Sequence, residues 1–149
     1  MYKPLQGQYR LKNPQKYIKA VDKFMNSEQI IDNNIILKYK SSLELKSFLY
    51  CDLNPVVEKW GLETFNIPYI GVDGRSHRYY PDLIIVIQGN VYVVEIKHSS
   101  DCKKPSKGKN YESRLCKYLT NQLKWDACRK FCEQRNSKFI ILTEEVLNK

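Results

Sequence analysis

No apolar run in the 149-residue chain exceeds the five residues Leu83–Ile87, far short of the roughly 20 that a membrane-crossing helix needs. The Met1 end lacks the apolar core of a signal peptide, so a chain with no membrane partner is the expectation. Internal repeats are absent. The cysteines number five, an odd count, and no Cys-x-x-Cys pair occurs. Neither a disulfide framework nor a zinc pattern is therefore written here. Cys128 and Cys132 stand one helical turn apart, but no histidine or further cysteine pair completes a metal set, and small apolar residues on a core stripe are the expectation. This usage suits a reducing, cytoplasmic compartment. Acidic residues are in deficit: 16 Asp+Glu against 25 Lys+Arg leave a formal charge of +9. Such an excess points to a polyanionic partner, most often nucleic acid.

What is present is ordinary for a globular domain. Hydrophobic residues make up 42% and charged residues 28%, which excludes disordered, collagen-like and fibrous classes. A chain this long buries roughly 70% of its unfolded surface. One domain over 1–149 is expected, with a basic extension over 1–40 and a core over 41–149. Tyr2, Tyr9 and Tyr17 stand among lysines in the extension, a pattern that suits either stacking on bases or docking on a protein.

Along the chain, Pro14 predicts the start of a short helix to about Met25. Asn33-Asn34 punctuates before a strand over 35–39, and Ser41 is an N-cap opening a helix to about Cys51. Asn54-Pro55 predicts a second short helix to Trp60, stopped by Gly61. A β-meander follows: a strand over 64–70 with Pro68 marking an edge or bulge, an Asp73-Gly74 hairpin turn, a strand over 77–87, and another over 91–98. The apolar runs Leu83–Ile87 and Val91–Val94 suit central strands covered on both faces. A lysine-rich loop over 99–110 leads to a long helix over 111–135, whose apolar stripe runs through Leu115, Leu119, Trp125, Cys128 and Cys132. Phe139–Leu142 is a last buried strand, and Thr143 caps a terminal turn. The order predicts an α/β fold with a central sheet between helices.

The chemistry concentrates at Pro81-Asp82, heading one central strand, and Glu95-Ile96-Lys97, ending the next. A Gln88-Gly89 turn places Asp82 opposite Glu95; a Gly89-Asn90 turn places it opposite Lys97. Either register gathers all three on one face, whereas a three-residue loop sets Asp82 against Ile96 unless a bulge intervenes. Two facing carboxylates repel and call for a cation. Oxygen donors of this kind suit Mg²⁺ or Mn²⁺, which polarise a phosphodiester and lower the pKa of bound water, with Lys97 beside them to orient water or neutralise charge. The outline is that of a phosphodiester hydrolase. Ordinary strand-end acids and a Pro-Asp turn are the bland alternative.

Pro81-Asp82, a hairpin and Glu95-Ile96-Lys97 resemble the PD-(D/E)xK nuclease superfamily. That resemblance implies a restriction-endonuclease-like core, a mixed sheet flanked by helices. It also implies a further acid from an upstream helix, a place that Glu44 fits, although Ser41-x-x-Glu44 equally reads as a capping box. Tyr39 to Glu44, Trp60 to Thr64 with Ile67-Pro68-Tyr69, Arg78-Tyr79-Tyr80, Trp125-Asp126-Ala127 and Lys138 to Glu144 are similar to the head completion nucleases of T-even-type phages and to the related TnsA-type transposon endonucleases. The likeness implies a Mg²⁺- or Mn²⁺-dependent nuclease acting on double-stranded DNA during head maturation, with portal, head or neck proteins as partners, in the host cytoplasm or with the virion. By position, Glu44, Asp82, Glu95 and Lys97 match the catalytic motif, and the three acids its metal ligands. The TnsA branch often carries Gln where Glu95 stands, and the stretch 26–33 has no counterpart.

Around this motif, Arg75, His77 and Arg78 suit phosphate contacts or a solvated hairpin, and Lys103, Lys104, Lys107 and Lys109 suit a DNA-tracking loop or a solvated one. His98 is expected on the opposite strand face from Lys97, Glu63 on the surface, and Gln122 on the helical face of Tyr118 and Trp125. Two other readings stay open: a TnsA-like transposon-end or defence endonuclease, and a non-enzymatic DNA-binding head or portal protein. At this length there is no room for a separate recognition domain, so broad sequence tolerance is expected.

Overall fold

The computed structural model describes residues 6–148 except 24, 25, 30–34, 63 and 64, with side chains left aside at 19–23 and 26–29. Tyr2, Asn33-Asn34, Glu63 and Thr64 lie outside the described residues. Among the described residues, ten strands and three α-helices follow in order: β1 (Gly7–Arg10), β2 (Ile18–Lys23), β3 (Asn26–Gln29), β4 (Ile36–Tyr39), α1 (Ser42–Leu53), β5 (Val57–Leu62), β6 (Ile67–Ile70), β7 (Ser76–Tyr79), β8 (Leu83–Ile87), β9 (Asn90–Ile96), α2 (Tyr111–Glu133), β10 (Lys138–Leu142) and α3 (Glu144–Leu147). The fold is α/β with a mixed central sheet in the order β10-β9-β8-β5. β10 runs parallel to β9, and the other neighbours are antiparallel.

The β8–β9 hairpin sets the register on which the site depends. Ile87 pairs with Asn90 and Leu83 with Val94, so Gln88-Gly89 is the turn. Both turn residues have positive φ, 51° and 75°, the geometry of a two-residue loop matched to the strand twist. Of the two expected registers, the one that brings Asp82 level with Glu95 is present.

Helices cover the sheet on both faces. On one, Phe48 and Cys51 of α1 pack with Trp60, Leu83, Ile85 and Val94. On the other, Trp125, Cys128 and Cys132 of α2 pack with Val93 and, from the β6–β7 hairpin, Ile67 and Tyr79. All five cysteines are free thiols. Ser41 caps α1 as expected, its hydroxyl accepting from the Glu44 N–H at 3.1 Å. Thr143 caps α3 in the same way.

Three local expectations fail. Pro14 starts only a 3-10 turn, Pro14–Lys16, and the chain then extends into β2 rather than a helix to Met25. Residues 55–60 form a turn and β5, not a helix, because Val57 and Trp60 are buried against the sheet and Gly61 lies within the strand. The single strand expected over 77–87 is two strands, broken at Tyr80-Pro81-Asp82. Proline removes a ladder donor there, and β7 pairs with β6 instead of joining the central sheet.

The segment from Gly7 to Ile18 is anchored to the core. β1 pairs with β4, Leu11 and Ile18 are buried, and Tyr17 meets Trp60 edge to face at 5.1 Å between centroids. The pin is Asp52, fully buried on α1. Its carboxylate accepts from the Tyr9 hydroxyl at 2.5 Å and from the Lys12 and Asn13 N–H groups at 2.8 and 3.0 Å. Burial, followed by this hydrogen bond to the anion, raises the Tyr9 phenol above its ordinary range.

Candidate active site

Asp82 lies one step before the paired Leu83 and Val94, which puts it level with Glu95 across the hairpin. The Ile96 N–H donates to Asp82 Oδ2 at 2.8 Å, so β9's own backbone orients the first acid. The Lys97 N–H donates to the Leu142 carbonyl at 3.0 Å, which carries the β9–β10 pairing one residue past the strand end and fixes where the lysine starts. The sequence order Pro-Asp, hairpin, Glu-x-Lys thus becomes two carboxylates and an ammonium stem at one end of the two central strands.

Glu95 is half-buried and accepts a short hydrogen bond from the Tyr79 hydroxyl. Burial first, and then the charge of Asp82, push its carboxyl up to about 7, although the Tyr79 hydrogen bond, Lys97 and Lys124 pull the other way. Burial and Glu95 in turn hold the Tyr79 phenol well above its usual range, so it remains a donor. Lys124 of α2 stands 5.9 Å from the centre of the Tyr79 ring. Tyr79 and Lys124 escaped the sequence reading as individual site residues. The available signal for Lys124 was its place beside Trp125, which faces the sheet.

A cavity of about 480 Å³ opens at this end and is lined by Lys38, Lys40, Glu44, Asp82, Lys97 and His98. Glu44 reaches it from the first turn of α1, so the N-cap that starts this helix also aims the acid. Glu95 does not line the cavity. Among the described residues no group of three or more His, Cys, Asp or Glu side chains is gathered closely enough to hold a metal, so Glu44, Asp82 and Glu95 do not stand as one cluster. His98 lines the cavity with Lys97, against the expectation of opposite faces, because β9 ends at Ile96 and strand alternation lapses beyond it. Its Nδ1 lies 3.7 Å from Glu144 Oε2, and Glu144 accepts from the Ser99 N–H at 2.9 Å and from the Ser99 hydroxyl.

The remaining basic residues separate. Arg75 and Arg78 lie exposed on the β6–β7 hairpin, Arg78 bonded to the Asn66 side chain at 2.7 Å, and neither lines the cavity. His77 is bonded to Asp73 at 3.0 Å in that hairpin. Lys103 and Lys104 line a second cavity beside the first. Lys107 and Lys109 are exposed and line neither. No helix among the described residues is long and apolar enough to cross a membrane.

A mixed sheet with a helix on each face and an acid, hairpin, acid-x-lysine line at one end of its central strands defines a restriction-endonuclease-like protein. The model of the TnsA-like endonuclease N-terminal domain matches residues 54–144, a span that includes Asp82, Glu95 and Lys97 and leaves Glu44 outside. The chain is also similar to the head completion nuclease of Enterobacteria phage T4, with 31% identity over 121 residues, covering 74% of this chain and 81% of that protein. The chain belongs to the TnsA-like endonuclease family.

Proposed function

We propose that this chain is a divalent-metal-dependent DNA endonuclease that acts in phage head completion, cutting or trimming packaged DNA so that filled heads accept tails. The observation that carries the reading is the placement of Asp82 level with Glu95, one step beyond the paired Leu83 and Val94, with Lys97 two residues further on and Asp82, Lys97 and Glu44 lining one cavity. The head completion role draws on the similarity to the T4 protein of that name. Portal, head or neck proteins are the corresponding partners, and the host cytoplasm or the virion is where the chain works.

The donor set fits a hard cation. Two carboxylates face each other in a half-buried place where burial and like charge already oppose ionisation of Glu95, and both offer only oxygen. Asp82 and Glu95 would hold Mg²⁺ or Mn²⁺; Glu44 lines the cavity with Asp82 but does not form one cluster with the pair. When bound, the ion supplies Lewis-acid polarisation of the phosphodiester and a more acidic water. The chain's own residues do the rest. The Ile96 N–H and the Tyr79 hydroxyl hold the two carboxylates in place. Lys97 offsets negative charge growing on the phosphate oxygens. Lys38 and Lys40, which also line the cavity, favour a phosphate chain over neutral ligands.

The test is plasmid DNA incubated with purified protein in Mg²⁺, in Mn²⁺, in EDTA and with Asp82→Ala. Cutting that survives EDTA or the substitution sinks the mechanism, and no cutting by the unmodified chain in either metal favours a DNA-binding head protein. A TnsA-like role at transposon ends or in defence is the second reading, supported by the family match. Joining of tails to filled heads in phage lacking this chain would favour it over head completion.

A further inference from the structure

The N-terminal half of α2 is not explained by packing. Its buried residues, Trp125, Cys128 and Cys132, all fall in the C-terminal half, and Leu119 is 41% exposed. With the loop that precedes it, the earlier half encloses a second cavity of about 530 Å³, lined by Lys103, Lys104, Arg114, Lys117, Tyr118 and Asn121. Lys97 and Asp101 line both cavities, so the second opens onto the first at the lysine of the site. Asp101 is the one carboxylate among the lining residues, against five cationic side chains.

Arg114 is held in advance of any ligand. Its Nε donates to the Lys109 carbonyl at 3.0 Å, and its guanidinium carbon lies 6.0 Å from the centre of the Tyr111 ring. One edge of the fork is thereby tied to the loop, and the terminal nitrogens make no hydrogen bond or ion pair among the described residues. A guanidinium fixed in this way presents paired donors to a tetrahedral oxyanion with little further loss of side-chain freedom.

The geometry points to a phosphate-binding subsite in this second cavity, occupied by a backbone phosphate of the same DNA strand that is cut beside Asp82 and Glu95. The inference rests on the nuclease reading, because a strand crossing Lys97 in the first cavity continues into the second. It assigns Arg114 and Lys117 to DNA binding, which the loop lysines alone did not suggest. It also sets a requirement on substrate: DNA ending before that phosphate lacks the contact, so cutting falls off close to an end on that side.

Binding of a fluorescein-labelled 20-base-pair duplex, read by anisotropy in EDTA across a salt series, tests it with the full chain. Arg114→Ala with Lys117→Ala is expected to weaken binding about tenfold or more and to make the salt slope shallower by about two. Lys130→Ala with Lys138→Ala, the same loss of charge away from both cavities, is expected to change binding less than about twofold. Lys103→Gln with Lys104→Gln is a second route into the cavity and is expected to repeat the first pair's loss. In cleavage, the first pair raises KM and leaves kcat within about twofold. A duplex with a single uncharged methylphosphonate at the subsite position weakens binding by the unmodified chain and not by the Arg114/Lys117 variant. Equal losses from the cavity pair and the distant pair overturn the subsite, leaving only diffuse charge. Binding through the cavity without cutting in Mg²⁺ or Mn²⁺ overturns the nuclease reading and keeps the phosphate site; cutting with no difference between the pairs does the reverse.

Discussion

The two faces of the central sheet are built to different standards. The α1 face is filled with apolar side chains, Trp60 and Phe48 foremost among them, both fully buried. Among the described residues its buried carboxyl group, Asp52, has three donors pointed at it. The α2 face admits Glu95, the Tyr79 hydroxyl and the lysines that approach them, and α2 leaves its first half outside the core. On the first face the Asp52 carboxyl oxygens are satisfied by donors and serve stability. On the second, Glu95 faces Asp82 across a hairpin, and burial and that like charge raise its carboxyl although Lys97 and Lys124 pull the other way. Burial combined with like charge marks a functional-site candidate, whereas donors gathered on one carboxylate mark a structural polar cluster.

The sharpest break in this comparison is expected from the two aspartates. Asp82→Ala should lower cleavage by about 10³-fold, about 4 kcal/mol of transition-state stabilisation, and leave the melting temperature within a few degrees. Plasmid nicking and thermal melting on the same sample check both halves. Asp52→Ala should do the opposite, costing about 3 kcal/mol because the Tyr9 hydroxyl and two backbone N–H groups lose their acceptor. Urea unfolding reads that loss. A Cm unchanged from the original chain would show that the Gly7–Ile18 segment is held by its apolar contacts instead.

Smaller effects sharpen the picture on the α2 face. Tyr79→Phe removes the hydroxyl that holds Glu95 and nothing else of the ring's packing. Cleavage is expected to fall about tenfold, with stability changed by about 1 kcal/mol or less, and the conservative change leaves folding intact for both measurements. Glu95→Gln should abolish cutting and yet raise the melting temperature of the metal-free protein at pH 8 by about 3 °C, since a half-buried like-charged pair becomes a single charge. A lower melting temperature for this variant would mean that Lys97 and Lys124 already balance the pair without metal.

How much was readable in advance follows from how far each signal reaches. Gln88-Gly89 specifies its hairpin within two residues, and the alternation of β8 and β9 then carries Asp82 to Glu95 without outside help. Ser41 caps α1 through the N–H of Glu44, three residues away, and Thr143 caps α3 through Glu145. Each of these was legible. Pro14 and Pro55 misled, because a proline preset for a helix start also serves a turn, and the choice was made elsewhere. Trp60 drew its segment into a strand by packing against the sheet and the Tyr17 ring.

By itself, then, the sequence determined the hairpin to within two registers, the caps of α1 and α3 and the acid-acid-lysine line, since all are set by turn geometry, capping and period over a few residues; the structure chose the Gln88-Gly89 turn. Only the tertiary structure decided the contacts of long separation. Tyr9 meets Asp52 43 residues on, and β10 comes back parallel to β9. Tyr79 reaches Glu95 16 residues away from a strand that never joins the central sheet. Arg114 and Lys117 close a cavity with a loop whose lysines alone suited a DNA-tracking segment or a solvated one. Such pairings depend on burial summed over the whole core, and local propensity carries no record of it.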